Sequence, residues 1–261
     1  MANSIKLISR PRTVAVVGRH AGLVKKVAEK TGFKVVSQKP EMVVTFGGDG
    51  TILHSERLYP GVPKLCARFS AHCIKCGVGT FFHKKLHKKE HVSLIHSQQA
   101  LGEALEKIAS KNKLRVREEK KLTGRVIRKN KIVFEATALN EIQVHNKNPL
   151  HAIRGRVCIG ENGKYFIGDG VIVSTPFGST AYFYSVARKT FSKGIGIAFN
   201  NPTLSIQPVI VEDLGSKSIR IFIERRHGLL ISDNSTKTFS LEAGDEVEVK
   251  QAKQSAWFAV V

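Results

Sequence analysis

Long apolar runs are missing from this chain of 261 residues: no stretch nears the roughly 20 consecutive residues that a membrane-spanning helix needs. Cysteine is scarce. The four present (Cys66, Cys73, Cys76 and Cys158) are too few for a disulfide-built scaffold and suit a reducing compartment. Cys73-x-x-Cys76 beside His72 lacks a second Cys/His pair at zinc-finger spacing. His87-Lys88-Lys89-Glu90-His91 spells a metalloprotease pattern, but within a lysine-rich stretch of a chain holding 10 histidines. No metal site is expected from either. The opening MANSIKLISRPRT is basic and has no apolar centre of a signal-peptide kind, so the expectation is a cytoplasmic protein without a membrane anchor.

Acidic residues are also in short supply. Against 42 Lys and Arg stand 21 Asp and Glu, leaving a formal charge of +21. Such an excess suits anionic partners: nucleotides, polyphosphate, nucleic acid or an acidic membrane surface. It concentrates at Lys84, Lys85, Lys88 and Lys89 and across residues 111–131. Aromatic side chains do not interleave with these clusters, which argues against stacked single strands. The lysines read as solvated surface, and nucleic-acid binding is not expected.

At this length two domains are natural. Thr13-Val14-Ala15-Val16-Val17-Gly18 is a short apolar strand, followed by a helical stretch with Leu23, Val24, Val27 and Ala28 at three- and four-residue spacing. Strands at 34–37, 42–46 and 62–69 and a helix around 86–110 complete an α/β domain over 1–112. Strands alternating with helices imply an open, mostly parallel, Rossmann-like sheet. Gly18-x-x-x-Gly22 lacks the GxGxxG layout of a dinucleotide fingerprint. After residue 113 the texture changes to strand after strand, with turns expected at Thr123-Gly124 and Lys129-Asn130 and one helix beginning near Ser179. That pattern predicts an all-β sandwich over 113–250. The apolar tail Ala256-Trp257-Phe258-Ala259-Val260-Val261 predicts a strand in 251–261 that packs back onto one domain.

Gly47-Gly48-Asp49-Gly50-Thr51 sits between the strand ending at Phe46 and the helical run Ile52–Leu58. Strand, glycine turn and helix start point backbone N–H groups at an anion, and glycines let a phosphate come close. A carboxylate there would repel a phosphate unless it has chemistry to do; its plain alternative is a helix cap. Further on lie Asn140-Glu141, then Gly168-Asp169-Gly170 between two strands, then Ser174-Thr175-Pro176-Phe177-Gly178-Ser179-Thr180-Ala181-Tyr182. Each also has a plain reading, as a turn edge, a hairpin turn and a helix cap.

In this order, GGDGT, Asn-Glu, and GDG running into STPFGSTAY resemble the NAD kinase family; GGDG alone also occurs in diacylglycerol kinases and other lipid kinases of the same superfamily. The resemblance implies transfer of the ATP γ-phosphoryl group, with Mg²⁺, to the 2′-hydroxyl of the adenosine ribose of NAD. It implies Asp49 as general base, with Gly47, Gly48 and Gly50 at the dinucleotide's pyrophosphate. Asn140 and Glu141 would hold ribose hydroxyls, and Thr180, Ala181, Tyr182 and Ser185 would line the adenine and ribose site. Asp169 would meet the nicotinamide end across a subunit interface, and His54 and His151 are further candidate contacts. A homodimer or homotetramer goes with this, and inorganic polyphosphate is a second possible donor. A lipid kinase, or a binding protein for NAD(P) or nucleic acid without turnover, are the alternatives. The chain departs from the family at Phe177, where threonine is usual, and across 64–82. It also lacks a proline-histidine element after residue 200, and Ser232-Asp233-Asn234 stands in place of an Asp-Gly turn.

Overall fold

The computed structural model describes residues 4–68, 94–215 and 217–261. The chain divides into two units, Met1–Glu119 with Gln254–Val261, and Lys120–Lys253.

In the first unit the strands are β1 (Ile5–Ser9), β2 (Thr13–Gly18), β3 (Lys34–Val35), β4 (Met42–Gly47), β5 (Lys64–Arg68) and β6 (Lys113–Glu119). The tail strand β19 (Ala256–Val260) joins them in one sheet of order β1-β6-β19-β5-β4-β2-β3. The pairings from β19 through β5, β4 and β2 to β3 are parallel, and β6 runs antiparallel to both β1 and β19. All six residues of β4 are buried, as expected of a central strand covered on both faces. Helices α1 (Ala21–Lys30) and α3 (Leu94–Ala109) cover one face. Val24 and Ala28 of the first helix, and Leu101, Ala104, Leu105 and Ile108 of the second, join Met42, Val44 and Phe46 in one core. Their three- and four-residue spacing is what puts them on a single stripe. Each fully buried Leu or Ile there contributes about 1.5–3 kcal/mol. Ala15, Val17 and Val43 point to the other face, against Tyr59 and Val62.

Helix α2 (Asp49–Leu58) leaves the end of β4, and a buried ion pair ties its far end to β5. Lys64 lies wholly inside, pairs with Glu56, and donates to the carbonyls of Tyr59 (3.1 Å) and Val62 (2.7 Å). Glu56 also accepts from Gly61 N at 3.1 Å. A buried pair tolerates the loss of water only when its other bonding positions are met in this way.

The sequence placed the domain boundary near 113, but β6 belongs to the first sheet, and the second unit starts at Lys120. Backbone pairing with β1 and β19 decides this; β1 lies in the basic opening segment, where no strand was expected, and its Ile5 and Leu7 are exposed. The expected elements and the Cys73, Cys76 and His87–His91 patterns between 69 and 93 lie outside the described residues.

The second unit is two antiparallel sheets of six strands. One has the order β11-β10-β15-β18-β7-β8 and is built from β7 (Leu122–Arg128), β8 (Lys131–Ala138), β10 (Ile153–Ile159), β11 (Asn162–Gly168), β15 (Ile219–Arg225) and β18 (Glu246–Gln251). The other has the order β14-β13-β12-β9-β16-β17, from β9 (Glu141–Asn146), β12 (Gly170–Ser174), β13 (Ile195–Asn200), β14 (Val209–Val211), β16 (Gly228–Ser232) and β17 (Phe239–Leu241). Val126, Val157, Ile221 and Val247 from the first meet Ile142, Val144, Val171, Val173, Ile197 and Leu230 from the second in one core. Alternate residues face inward, as the pleat requires.

One local expectation fails here. Thr123-Gly124 is not a turn but the interior of β7, where the side chain of Ile142 fills the space a Cβ at 124 would take. The helix expected near Ser179 is present in two pieces: Phe177–Thr180 is a 3₁₀ turn, Ala181 breaks it, and α4 (Tyr182–Ala187) follows. Phe183, fully buried, anchors α4 on the outer face of its sheet against Ile172 and Ala198. Among the described residues, no helix is long and apolar enough to cross a membrane.

Candidate functional site

In the first unit the site is a turn made by backbone geometry. Gly48 is the N-cap of α2 and Asp49 its first residue, an acidic side chain where the helix dipole favours one. Gly47 is buried, and a Cβ there would lie 2.3 Å from the Thr51 hydroxyl and 3.1 Å from its Cβ. Only glycine fits. At Gly48 a Cβ would meet nothing within 4 Å, so that position faces open space. Asp49 is partly buried, whereas Gly50 and His54 are exposed.

In the second unit the site is a polar network on the outer face of the sheet that carries β9 and β12. Register sets Ser174 opposite Glu141, and Gly170 opposite both His145 and Asn200. Around Asn140-Glu141 three segments converge. The Asp233 carboxylate accepts from the backbone N–H groups of Leu139 (2.9 Å), Asn140 (2.7 Å) and Glu141 (3.2 Å). Thr175 donates its hydroxyl to Leu139 O at 2.7 Å and its N–H to Asn140 O at 2.8 Å. Gly178 packs on the Asn140 backbone so closely that a Cβ would stand 2.3 Å from its carbonyl oxygen. The Asn-Glu pair and the GSTAY segment are therefore one interlocked structure. Along β9, Glu141, Gln143 and His145 share a face by their spacing of two, and Gln143 donates to Glu141 at 3.3 Å.

At the other end of β12, Asp169 accepts from Asn146 Nδ2 at 3.2 Å and Asn201 Nδ2 at 3.1 Å. Asn200 donates to the Tyr182 hydroxyl at 2.8 Å and meets His145 Nε2 at 3.3 Å. His145 Nδ1 faces the Asn146 carbonyl, which can only accept, so Nδ1 carries the proton and Nε2 accepts from Asn200. Burial holds the Tyr182 phenol above its ordinary pKa; the carboxylates of Asp169 and Glu141 push the same way, and the bond from Asn200 opposes them. Tyr182 is therefore a neutral O–H at physiological pH, with its oxygen already accepting. The Thr180 hydroxyl is buried and makes no hydrogen bond among the described residues.

A family model for the "ATP-NAD kinase C-terminal domain" matches residues 139–261. Over 192 residues, 72% of this chain, the sequence is 33% identical to a curated "NAD kinase" of Sulfurisphaera tokodaii. The chain belongs to the NAD kinase family. It spans 66% of the length of that relative. The fold is also that of two solved structures, each 18% identical. One is a yeast NADH kinase complexed with NADH, at a TM-score of 0.75 over 99% of this chain and 88% of that one. The other is an Archaeoglobus fulgidus NAD kinase in complex with ATP, at 0.67 over 94% and 92%.

Of the residues singled out from sequence, the second unit brings Asn140, Glu141, Asp169, Thr180, Ala181 and Tyr182 onto this outer face or its covering turn. Ser185 is exposed on α4, its hydroxyl reaching Ala181 O at 3.5 Å. His151 is exposed, and its backbone oxygen, not its ring, accepts from Asn146. Phe177, the departure from the family's threonine, is buried in the 3₁₀ turn. Sequence reasoning passed over Thr175, Asn146, Asn200, Asn201 and the role of Asp233. A readable signal was the Asn200-Asn201 doublet closing a strand; the structure shows Asp233 at φ 49, a left-handed position that Asp and Asn tolerate.

Proposed function

We propose that this chain phosphorylates NAD at the 2′-hydroxyl of its adenosine ribose, with ATP as donor. The observation that carries the reading is the turn at 47–51, in which a glycine that cannot be replaced without displacing Thr51 holds a carboxylate on the first residue of a helix. Family membership supplies the reaction class. In the proposed step the Asp49 carboxylate takes the proton from the ribose hydroxyl as its oxygen attacks the γ-phosphorus. The bond from that phosphorus to the β,γ-bridging oxygen breaks and ADP leaves. A Cβ on Gly48 would meet nothing within 4 Å among the described residues, room that a diphosphate at the helix start could use. Glu141 and Asn140, fixed by Asp233 and Thr175, would hold sugar hydroxyls. Tyr182 is poised to donate its proton, and Thr180 presents a hydroxyl with no protein partner among the described residues.

Among the described residues no three His, Cys, Asp or Glu side chains converge as a metal cage. Mg²⁺ needs none when it is carried on donor phosphates, where it would neutralise charge. Inorganic polyphosphate remains the alternative donor that the positive charge suits, and a cytoplasmic homodimer or homotetramer completes the proposal.

The test is a coupled NADPH assay of the purified protein with NAD and either ATP or polyphosphate, with Asp49→Asn in parallel. A general base contributes on the order of 10²–10⁴ in rate, so the variant should lose at least about a hundredfold in kcat with NAD binding retained. Equal rates in both would remove Asp49 as the base. NAD binding without NADPH from either donor would favour the non-catalytic alternative.

A further inference from the structure

Away from the polar face, the sandwich of the second unit is open at one end. A cavity of about 350 Å³ lies between its two sheets where β10 and β11 of one stand over β13 and β14 of the other. Its wall is apolar: Val157 and Ile159, Ile197 and Phe199, Val209 and Val211, each pair two residues apart on its strand, together with Leu214. These are inward positions by the pleat, so the cavity continues the core rather than scooping the surface. The gap exists because β14 is only three residues long and both β11 and β14 are edge strands, so no further strand closes that end.

The mouth has a different chemistry. Lys164, Lys217, Asp213 and Asn162 ring it. Lys164 occupies an inward position of β11: it pairs with Val157 and shares its face with the fully buried Phe166. Lys217 leans across towards the hairpin between β10 and β11, where a Cβ on Gly160 would lie 3.8 Å from its ammonium nitrogen. Asp213 is partly engaged, accepting from Gly215 N at 2.8 Å. Two cations against one carboxylate leave the entrance positive over an apolar interior.

We propose that this end of the sandwich binds a medium-chain alkyl carboxylate, its tail between the sheets and its head at Lys164 and Lys217. Scaling from a cavity of about 150 Å³ that holds one benzene ring, the space takes roughly a dozen carbon atoms. Burial of the tail drives binding, and the lysines select the anionic head. An inward lysine on an edge strand also blocks the addition of another strand. That role by itself calls for no ligand, so the two accounts part at the bench.

The experiment is isothermal titration calorimetry of the full chain with decanoate, decanol and decylammonium, each below its aggregation concentration. Decanoate should bind saturably with one site per chain and raise the melting temperature. Decanol and decylammonium should bind at least tenfold more weakly. Lys164→Glu combined with Lys217→Glu, both exposed and expected to fold, should weaken decanoate at least tenfold. Val211→Phe, which fills the interior, should abolish its binding while circular dichroism stays unchanged; if that variant misfolds, the lysine pair decides. No saturable binding of decanoate, equal binding of decanol or decylammonium, or indifference to the lysine reversal would each overturn the proposal. None of these readouts involves phosphoryl transfer, so failure here leaves the kinase reading standing.

Discussion

The two units hold their functional groups by opposite means. In the first, Asp49 is positioned by its immediate neighbours: Gly47 and Gly48 before it and Thr51 two residues after it. In the second, Glu141 is positioned by Asp233, whose bonds to the 139–141 backbone span 94, 93 and 92 residues of sequence. One site is a local backbone shape; the other is a meeting of strands. A local shape survives wherever its few residues are kept, whereas a meeting of strands depends on the whole sheet registering correctly.

That contrast can be broken by substitution. The largest effect on stability is expected at Asp233→Ala, which leaves three backbone N–H groups without their acceptor and puts alanine at a left-handed φ of 49°. Unsatisfied buried donors cost about 1–3 kcal/mol each, less where water enters, so the loss should reach about 3 kcal/mol in urea denaturation. A change under about 0.5 kcal/mol, the range of an ordinary surface substitution, would mean that the strand meeting does not rest on this carboxylate.

Gly47→Ala should cost less, about 1–3 kcal/mol, the range for forcing extra atoms into a packed place. Its neighbour sharpens the point, because Gly48→Ala meets open space and should stay within about 0.5 kcal/mol. If Gly48→Ala keeps its stability but loses affinity for nucleotide, close backbone approach to the ligand is the reason for that glycine. Equal stabilities for the two variants would refute the local account of the turn.

The smallest effect belongs to acid. Burial pushes Asp245 up, but the bidentate bonds from Arg128 at 2.7 Å, 117 residues away, and the backbone N–H of Glu242 outweigh it, so the carboxyl sits below its usual range. A lowered folded value means the stabilisation is present above the unfolded pKa and is lost as pH falls through the folded one. Below about pH 4, the ordinary range for Asp, the melting temperature of the wild type should fall more steeply than that of Asp245→Asn. Parallel curves would show that this long-range pair contributes nothing to the sandwich.

Much of the architecture was readable because its signals are short in range. Apolar runs at 13–18 and 42–46 marked parallel strands, and the succession of strands and turns after residue 113 marked a sandwich. Where reading failed, the missing information was non-local. Thr123-Gly124 looked like a turn because glycine usually breaks a strand; in the fold, Ile142 from a different strand occupies the room that glycine leaves. Lys113–Glu119 looked like the start of the sandwich because it is a strand among strands, yet its partners are β1 and β19 from the two ends of the chain.

By itself the sequence determined the class of the molecule, the turn that presents Asp49, and the strand content of each half, because periodicity and glycine geometry act over a few neighbouring residues. Only the tertiary structure decided that Asp233 clamps Asn140-Glu141, that Asn200 bridges His145 and Tyr182, and that Lys164 and Lys217 share the mouth of an apolar cavity. Those juxtapositions follow from strand order and register, in which hydrogen-bonded neighbours lie far apart along the chain, and no local pattern encodes which strands will meet.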